Sequence, residues 1–142
     1  KDFLAAQSGG RIVKYKDDKI LFSIGDYRGY NVAQEKDNFF GKIISLDLDG
    51  KNPKIISMGH RNPQGLFYDE KNNIIFSTEH GPDGGDEINF NLNHDDDKID
   101  NYGWPISSYG DHKYNIYDYQ LYKLFPLHKS HSEYGFIEPL KY

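Results

Sequence analysis

The sequence contains no cysteine, and among its 142 residues it has one tryptophan and one methionine. Without cysteine the chain can form neither a disulfide scaffold nor a zinc–thiolate site, and it has no thiol nucleophile. No apolar run approaches the roughly 18 residues of a membrane-spanning helix, so no membrane span is expected. The absence of cysteine leaves the compartment open, because it is compatible with reducing and oxidising surroundings alike.

Positive charge is also scarce, since 17 Lys and Arg stand against 22 Asp and Glu, a formal net charge of −5. This balance argues against nucleic acid as a partner, because neutralising phosphates requires a basic face. Aromatic residues are plentiful, with 12 Tyr and 9 Phe. Together with clustered isoleucines they favour a folded domain over a disordered chain.

Short apolar runs between turn residues predict an all-β protein. The runs are rich in Ile, Phe and Tyr and are bounded by Gly, Asn, Asp or Pro, which is typical of strands. They lie at residues 11–15, 19–24, 42–48, 54–58, 65–68, 73–78 and 87–90. In the third run, Ile44, Leu46 and Leu48 are expected to share one face. No stretch shows a 3.6-residue period over three turns, so no long helix is predicted.

Two segments of the sequence resemble each other. Residues 18–25 are similar to residues 73–81, and their apolar parts begin at Ile20 and Ile74. A repeat of about 50 residues made of short antiparallel strands has the size of one propeller blade. A β-sandwich of the same length is the alternative.

Two regions carry little strand signal. Residues 91–100 are polar and acidic, and we interpret them as a solvated loop insertion. An EF-hand loop that began at Asp95 would need Gly and Glu where Asp100 and Ile106 stand. Residues 106–142 are predicted to be irregular and rich in loops.

Three clusters of residues could carry chemistry. In the first, residues 59–65 (Gly-His-Arg-Asn-Pro-Gln-Gly), Arg61 could bind a carboxylate or phosphate bidentately, or it could be paired internally in a polar turn. In the second, residues 78–88, carboxylates stand among glycines. In the third, residues 101–105 (Asn-Tyr-Gly-Trp-Pro), Trp104 is expected to pack as core.

The second cluster contains oxygen donors suited to a hard cation. Its acidic residues are Glu79, Asp83, Asp86 and Glu87. Carboxylate and carbonyl oxygens favour Ca²⁺ over a transition metal, and His80 has no second His or Cys at the spacing of zinc ligands. The simpler interpretation is a glycine-rich loop whose charges face water.

In this order, the three clusters resemble the glucose/sorbosone dehydrogenase family, whose best-known members are soluble bacterial sugar dehydrogenases that use pyrroloquinoline quinone (PQQ). Residues 9–12 and the strand end at residues 24–26 are similar to the same family. The resemblance runs from about Gly9 to Trp104 and more loosely through residues 130–136. It implies a six-bladed β-propeller with PQQ on its central axis and an aldose sugar as substrate, whose hydride passes to the quinone.

The resemblance also implies site residues. Arg61 and Asn62 match residues that hold the quinone. Four further residues match calcium ligands: the carbonyls of Gly81 and Pro82 for an active-site Ca²⁺, and Glu87 with the carbonyl of Tyr102 for a second, structural Ca²⁺.

One position departs from the family pattern. Family dehydrogenases place a general-base His a few residues before the Gly-Arg pair, and alignment on residues 9–11 puts Gln7 there. Glutamine has no basic lone pair at neutral pH, and loss of such a base typically removes about 10²–10⁴-fold in rate. No catalytic residue is therefore assigned. A non-catalytic calcium-binding module of the same family is the alternative, and a generic all-β interaction domain is a third possibility.

The length also differs from that of a whole propeller. Six blades need roughly 300 residues, whereas these 142 residues could supply two to three. We therefore expect a segment of a longer protein, with the remaining blades of the same propeller outside this chain. The resemblance implies a periplasmic or secreted location.

Overall fold

The computed structural model describes residues 6–110 and 130–142, which form two β-sheets. The first sheet contains, in chain order, β1 (Gly9–Tyr15), β2 (Lys19–Ile24), β3 (Lys42–Asp47) and β4 (Lys54–Met58), each antiparallel to the next. A short strand, β8 (Asp100–Asn101), adds to β4 in parallel. The second sheet contains β5 (Pro63–Asp69), β6 (Ile74–Glu79) and β7 (Glu87–Asn91), all antiparallel.

Each predicted apolar run forms a strand, with bounds shifted by at most two residues. The third run ends earlier than expected, because the turn at Asp49-Gly50 begins beside it. Gly50 has a φ of 81°, and its N–H donates to the carbonyl of Asp47 at 2.8 Å. Leu48 consequently lies outside β3 and is 69% exposed, so the predicted apolar face stops at Leu46.

The hydrophobic core lies between the two sheets, where β1 packs against β5. Its buried members come from both sheets: Tyr15, Leu21, Ile43, Ile56, Leu66 and Ile75. Leu21 lies in β2 and Ile75 in β6, and these are the two strands of the sequence repeat. Each is the second strand of its sheet, so the repeat corresponds to equivalent places in two blades.

A buried lysine anchors the connection between β2 and β3. Lys42 has no exposed surface, and its Nζ donates to the carbonyls of Val32, Ala33 and Phe40 at 2.8, 3.1 and 2.7 Å. Two of these carbonyls belong to a 3₁₀ helix, Tyr30–Gln34, that the sequence pattern did not predict. The ammonium group thus satisfies carbonyls that no strand could pair.

The polar run after β7 is tied to the core through one side chain. Asn91 belongs to β7 and Asp100 to β8, so the connecting loop is residues 92–99. Within it His94 is buried, with its Nδ1 2.7 Å from the Tyr15 hydroxyl and its Nε2 2.9 Å from the carbonyl of Asn73. The loop is therefore held against both sheets.

The C-terminal region was predicted to be irregular over residues 106–142, of which residues 111–129 lie outside the described residues. A 3₁₀ helix spans His131–Tyr134. Farther on, the N–H of Ile88 donates to the carbonyl of Lys141 at 2.9 Å, which adds the last residues to the edge of β7. Within residues 6–110 and 130–142, no helix is long and apolar enough to cross a membrane.

Replacing Lys42 with Met is expected to lower the free energy of unfolding by about 1–3 kcal/mol, because three carbonyls lose their buried donor. Urea unfolding of the full-length protein measures the change. The control is Lys51→Met, since the Lys51 side chain is 76% exposed and its loss is expected to cost no more than about 0.5 kcal/mol. Equal effects of the two substitutions would contradict the structural role of Lys42.

Candidate active site

The turn between β4 and β5 joins the two sheets and carries the first sequence cluster. It begins at Gly59, whose φ is 75° and where a Cβ atom would lie 2.2 Å from Oδ1 of Asn101. Only glycine fits this position without displacing the neighbouring chain. The N–H of His60 donates to the carbonyl of Gly41 at 3.1 Å. The turn is thereby fixed to the segment that precedes β3.

Arg61 connects the first cluster with the other two. Its Nη1 donates to the carbonyls of His80 and Gly81 at 2.8 and 2.7 Å. Its guanidinium lies over the ring of Trp104, 5.3 Å from the centroid. Three motifs that are separate in the sequence therefore meet at one side chain.

Gln7 lies directly beside Arg61. With the amide oriented to satisfy its neighbours, its oxygen accepts from Nη2 of Arg61 at 2.8 Å and its nitrogen donates to Oδ1 of Asp26 at 2.7 Å. The same Asp26 carboxylate accepts from Nε1 of Trp104 at 2.7 Å. Gln7, which the resemblance predicts to stand at the general-base position, thus bridges a cation and a buried carboxylate.

Asp26 is a site residue that the sequence clusters did not include. It is completely buried, and burial raises its pKa to about 6 despite hydrogen bonds from Trp104 and the N–H of Arg28 and the charge of Arg61. The sequence feature that could have identified it is an acidic residue directly after Gly25, the residue that follows β2. A carboxylate in this place would orient a histidine at position 7 and increase its basicity.

The four residues matched to calcium ligands line a single small cavity. Its volume is about 10 Å³, roughly the space of one water molecule. Besides Gly81, Pro82, Glu87 and Tyr102, its lining includes Arg61, Glu79 and Trp104. Asn62 is not in the lining, and its Oδ1 accepts from the N–H of Gly9 at 3.1 Å.

The glycine-rich loop after β6 brings backbone close to backbone. A Cβ atom on Gly81 would lie 1.8 Å from the carbonyl oxygen of Gly85, and one on Gly85 would lie 2.4 Å from the nitrogen of Gly110. The carbonyl of Pro82 accepts from the N–H of Gly85 at 2.8 Å. The sequence therefore places glycine where no side chain fits.

The acidic residues of this loop divide into two kinds. Glu79 and Glu87 are buried, whereas Asp83 and Asp86 are exposed. Asp86 lies 3.1 Å from Nδ1 of His80 at the surface. Over the described ranges, no group of three or more His, Cys, Asp or Glu side chains could hold a metal. A cation here would therefore need backbone carbonyls in addition to the buried carboxylates of Glu79 and Glu87.

Glu87 has a histidine beside it that sequence reasoning did not anticipate. Nε2 of His131 lies 3.5 Å from Oε1 of Glu87, and Nδ2 of Asn89 lies 3.3 Å from Oε2. Burial raises the pKa of Glu87, although His131 beside it acts in the opposite direction. Tyr102 is buried nearby and its hydroxyl donates to the carbonyl of Phe90 at 2.5 Å.

Comparison with known proteins places this arrangement in a family. Residues 4–140 match the family described as Glucose / Sorbosone dehydrogenase. The chain belongs to the glucose/sorbosone dehydrogenase family. It is 34% identical over 115 residues to the aldose sugar dehydrogenase YliI of Escherichia coli, an alignment that covers 72% of this chain and 30% of that protein.

Two further members extend the comparison. Quinoprotein glucose dehydrogenase B of Acinetobacter calcoaceticus is 32% identical over 133 residues, covering 72% of this chain and 27% of that protein. The PQQ-bound structure of the aldose sugar dehydrogenase from Streptomyces coelicolor has a TM-score of 0.60 and 33% identity, covering 75% of this chain and 31% of that one. The chain spans about 30% of the curated relatives that it matches. It is a segment, of two to three blades, of the six-bladed β-propeller of this family.

The raised pKa of Asp26 predicts a pH-dependent stability. The folded pKa of Asp26, about 6, exceeds the ordinary 3.8, so the folded protein holds the proton of this carboxyl more tightly than the unfolded chain does. The resulting contribution to the free energy of unfolding is fully present below pH 3.8 and is lost as the pH rises through 6. The gap corresponds to about 3 kcal/mol. Asp26→Asn keeps the shape of the side chain without the charge, so the unfolding free energy of the parent should fall relative to the variant between pH 4 and 7.

Urea unfolding of both full-length proteins across this pH range measures the difference. A gap between parent and variant that does not change with pH would show that Asp26 does not titrate in this range.

Proposed function

We propose that this chain is part of a PQQ- and calcium-dependent dehydrogenase that oxidises an aldose sugar. The observation that carries the proposal is the convergence of Arg61, Gly81 and Pro82 around one small cavity, with Gln7 hydrogen-bonded to Arg61 beside it. The relatives named as aldose sugar dehydrogenase and quinoprotein glucose dehydrogenase support it. The proposal includes a periplasmic or secreted location and the completion of the site by blades outside this chain.

Two features of the site support the proposed cofactors. Nε of Arg61 is buried and has no hydrogen-bond partner within the described part of the chain. A guanidinium donor of this kind matches a carboxylate, and PQQ carries carboxylates. The resemblance assigns Asn62 to the quinone as well, although its side chain accepts from the N–H of Gly9 outside the cavity lining. The carbonyls of Gly81 and Pro82 are hard oxygen donors of the type that Ca²⁺ prefers.

Residues of this chain would have separate roles in the reaction. When bound, PQQ supplies the acceptor for the hydride that leaves the sugar, and calcium supplies a Lewis acid. Arg61 would bind and orient the cofactor. As the sugar loses its hydride, its hydroxyl proton must pass to a base. Gln7 can hydrogen-bond this hydroxyl but cannot take its proton, and Asp26, with no exposed surface, hydrogen-bonds the Gln7 amide.

The first test uses the full-length protein, titrated with PQQ in the presence and absence of Ca²⁺ and assayed by dye reduction with aldoses. Arg61→Lys is expected to weaken PQQ binding by about 10- to 100-fold, because a single charged donor replaces a bidentate one. Arg11→Lys is the matched control, since Arg11 is exposed and donates to the carbonyl of Gln64 away from the cavity. A parent protein that binds no quinone with calcium present would overturn the proposal.

A second candidate, a non-catalytic calcium-binding propeller module, is favoured by Gln7. The substitution Gln7→His separates the two, because a histidine beside the Asp26 carboxylate would restore a base. For a dehydrogenase, kcat should rise by about 10²–10⁴-fold, with Gln7→Asn as the control that adds no base. A Gln7→His protein that binds PQQ and still oxidises no sugar would support the binding module.

A further inference from the structure

A chain of buried hydrogen bonds runs beneath the turn that carries Arg61. Oγ of Ser57 lies 2.8 Å from Nε2 of His60, and Nδ1 of His60 lies 2.8 Å from Oε1 of Glu79. The side chains of His60 and Glu79 are 0% and 4% exposed, and Ser57 is 1% exposed. The order of groups matches a nucleophile, base and carboxylate, but no substrate can reach a serine enclosed within β4. The chain of bonds therefore has another use.

This series of hydrogen bonds ends at the main chain of Arg61. Oε2 of Glu79 accepts the N–H of Arg61 at 2.7 Å, and Oε1 also accepts Nδ2 of Asn89 at 3.1 Å. Ser57 belongs to the first sheet, whereas Glu79 ends β6 in the second. The carboxylate thus fixes the turn relative to both sheets.

The same cluster extends to the third sequence motif. The ring of His60 stacks on the ring of Tyr102, with centroids 4.8 Å apart and planes 25° from parallel. The main chain of Arg61 and the ring of Tyr102 therefore have a common neighbour. A displacement of the imidazole would shift both walls of the cavity.

We propose that Glu79, together with His60 and Ser57, is a positioning residue that fixes the main chain of Arg61 and thereby presents its guanidinium to the cofactor. The inference about the cofactor rests on the proposed function. The main-chain part stands on the hydrogen bonds alone. Charge-assisted hydrogen bonds to a buried carboxylate are among the strong ones, and the loss of one is expected to change affinity by about 10–100-fold.

The test is Glu79→Gln in the full-length protein with two readouts. Hydrogen exchange at the Arg61 amide should speed up, because a neutral amide oxygen replaces the carboxylate as acceptor. The Kd for PQQ should rise by about 10–100-fold. Asp100→Asn is the matched control, as Asp100 is equally buried and its loss should leave Arg61 exchange and PQQ affinity unchanged.

A milder pair of variants keeps the test valid if Glu79→Gln folds poorly. Ser57→Ala removes a hydroxyl from His60, and Tyr15→Phe removes a hydroxyl from the buried His94 at the outer end of the sheets. The first should accelerate Arg61 exchange and weaken PQQ binding, and the second should do neither.

The experiments distinguish a failure of the proposed function from a failure of the positioning role of Glu79. If the parent binds no PQQ, the proposed function is wrong, and Arg61 exchange still decides the positioning role. If PQQ binds and neither Glu79→Gln nor Ser57→Ala changes exchange or affinity relative to its control, the positioning role is wrong. A loss of affinity that Asp100→Asn reproduces would likewise show a general loss of stability.

Discussion

Glu79 carries a carboxylate into a place where only 4% of its side-chain surface meets water, and the site is arranged around the need to satisfy it. Burial by itself raises the pKa of Glu79, but the charge and hydrogen bond of His60 and the N–H groups of Arg61 and Asn62 outweigh it and keep the pKa below its ordinary value. These partners belong to the turn that joins the two sheets. Because a buried carboxylate must be hydrogen-bonded, the donors that it binds hold the turn of Arg61 in place.

A second buried carboxylate, Asp26, belongs to the hydrogen-bonded groups around Arg61. Asp26 receives hydrogen bonds from Trp104 and Gln7, and Gln7 connects it to Arg61. The site thus keeps the carboxylate that would support a basic residue at position 7, while the residue present there is not basic.

Much of the fold was predictable because its signals are local. Each apolar run between turn residues became a strand, since alternation and flanking glycines act within a few residues. Lys42, the 3₁₀ helix at Tyr30–Gln34 and the place of His94 were not predictable, because each depends on partners distant in the sequence. The same holds for Asp26, which accepts a hydrogen bond from Trp104, 78 residues away in the sequence. It also holds for His131, which lies in the C-terminal segment and contacts Glu87.

The sequence by itself determined the strands, the glycine positions of the loop after β6 and the motifs that identify the family, because these depend on residue type and spacing. Only the tertiary structure decided which groups meet. It placed all four residues matched to calcium ligands on one cavity, turned Asp83 and Asp86 to the surface, and joined Ser57 to Glu79 through His60. The reason is physical: burial and hydrogen-bond pairing depend on how two sheets pack, and that packing brings together residues that no local pattern relates.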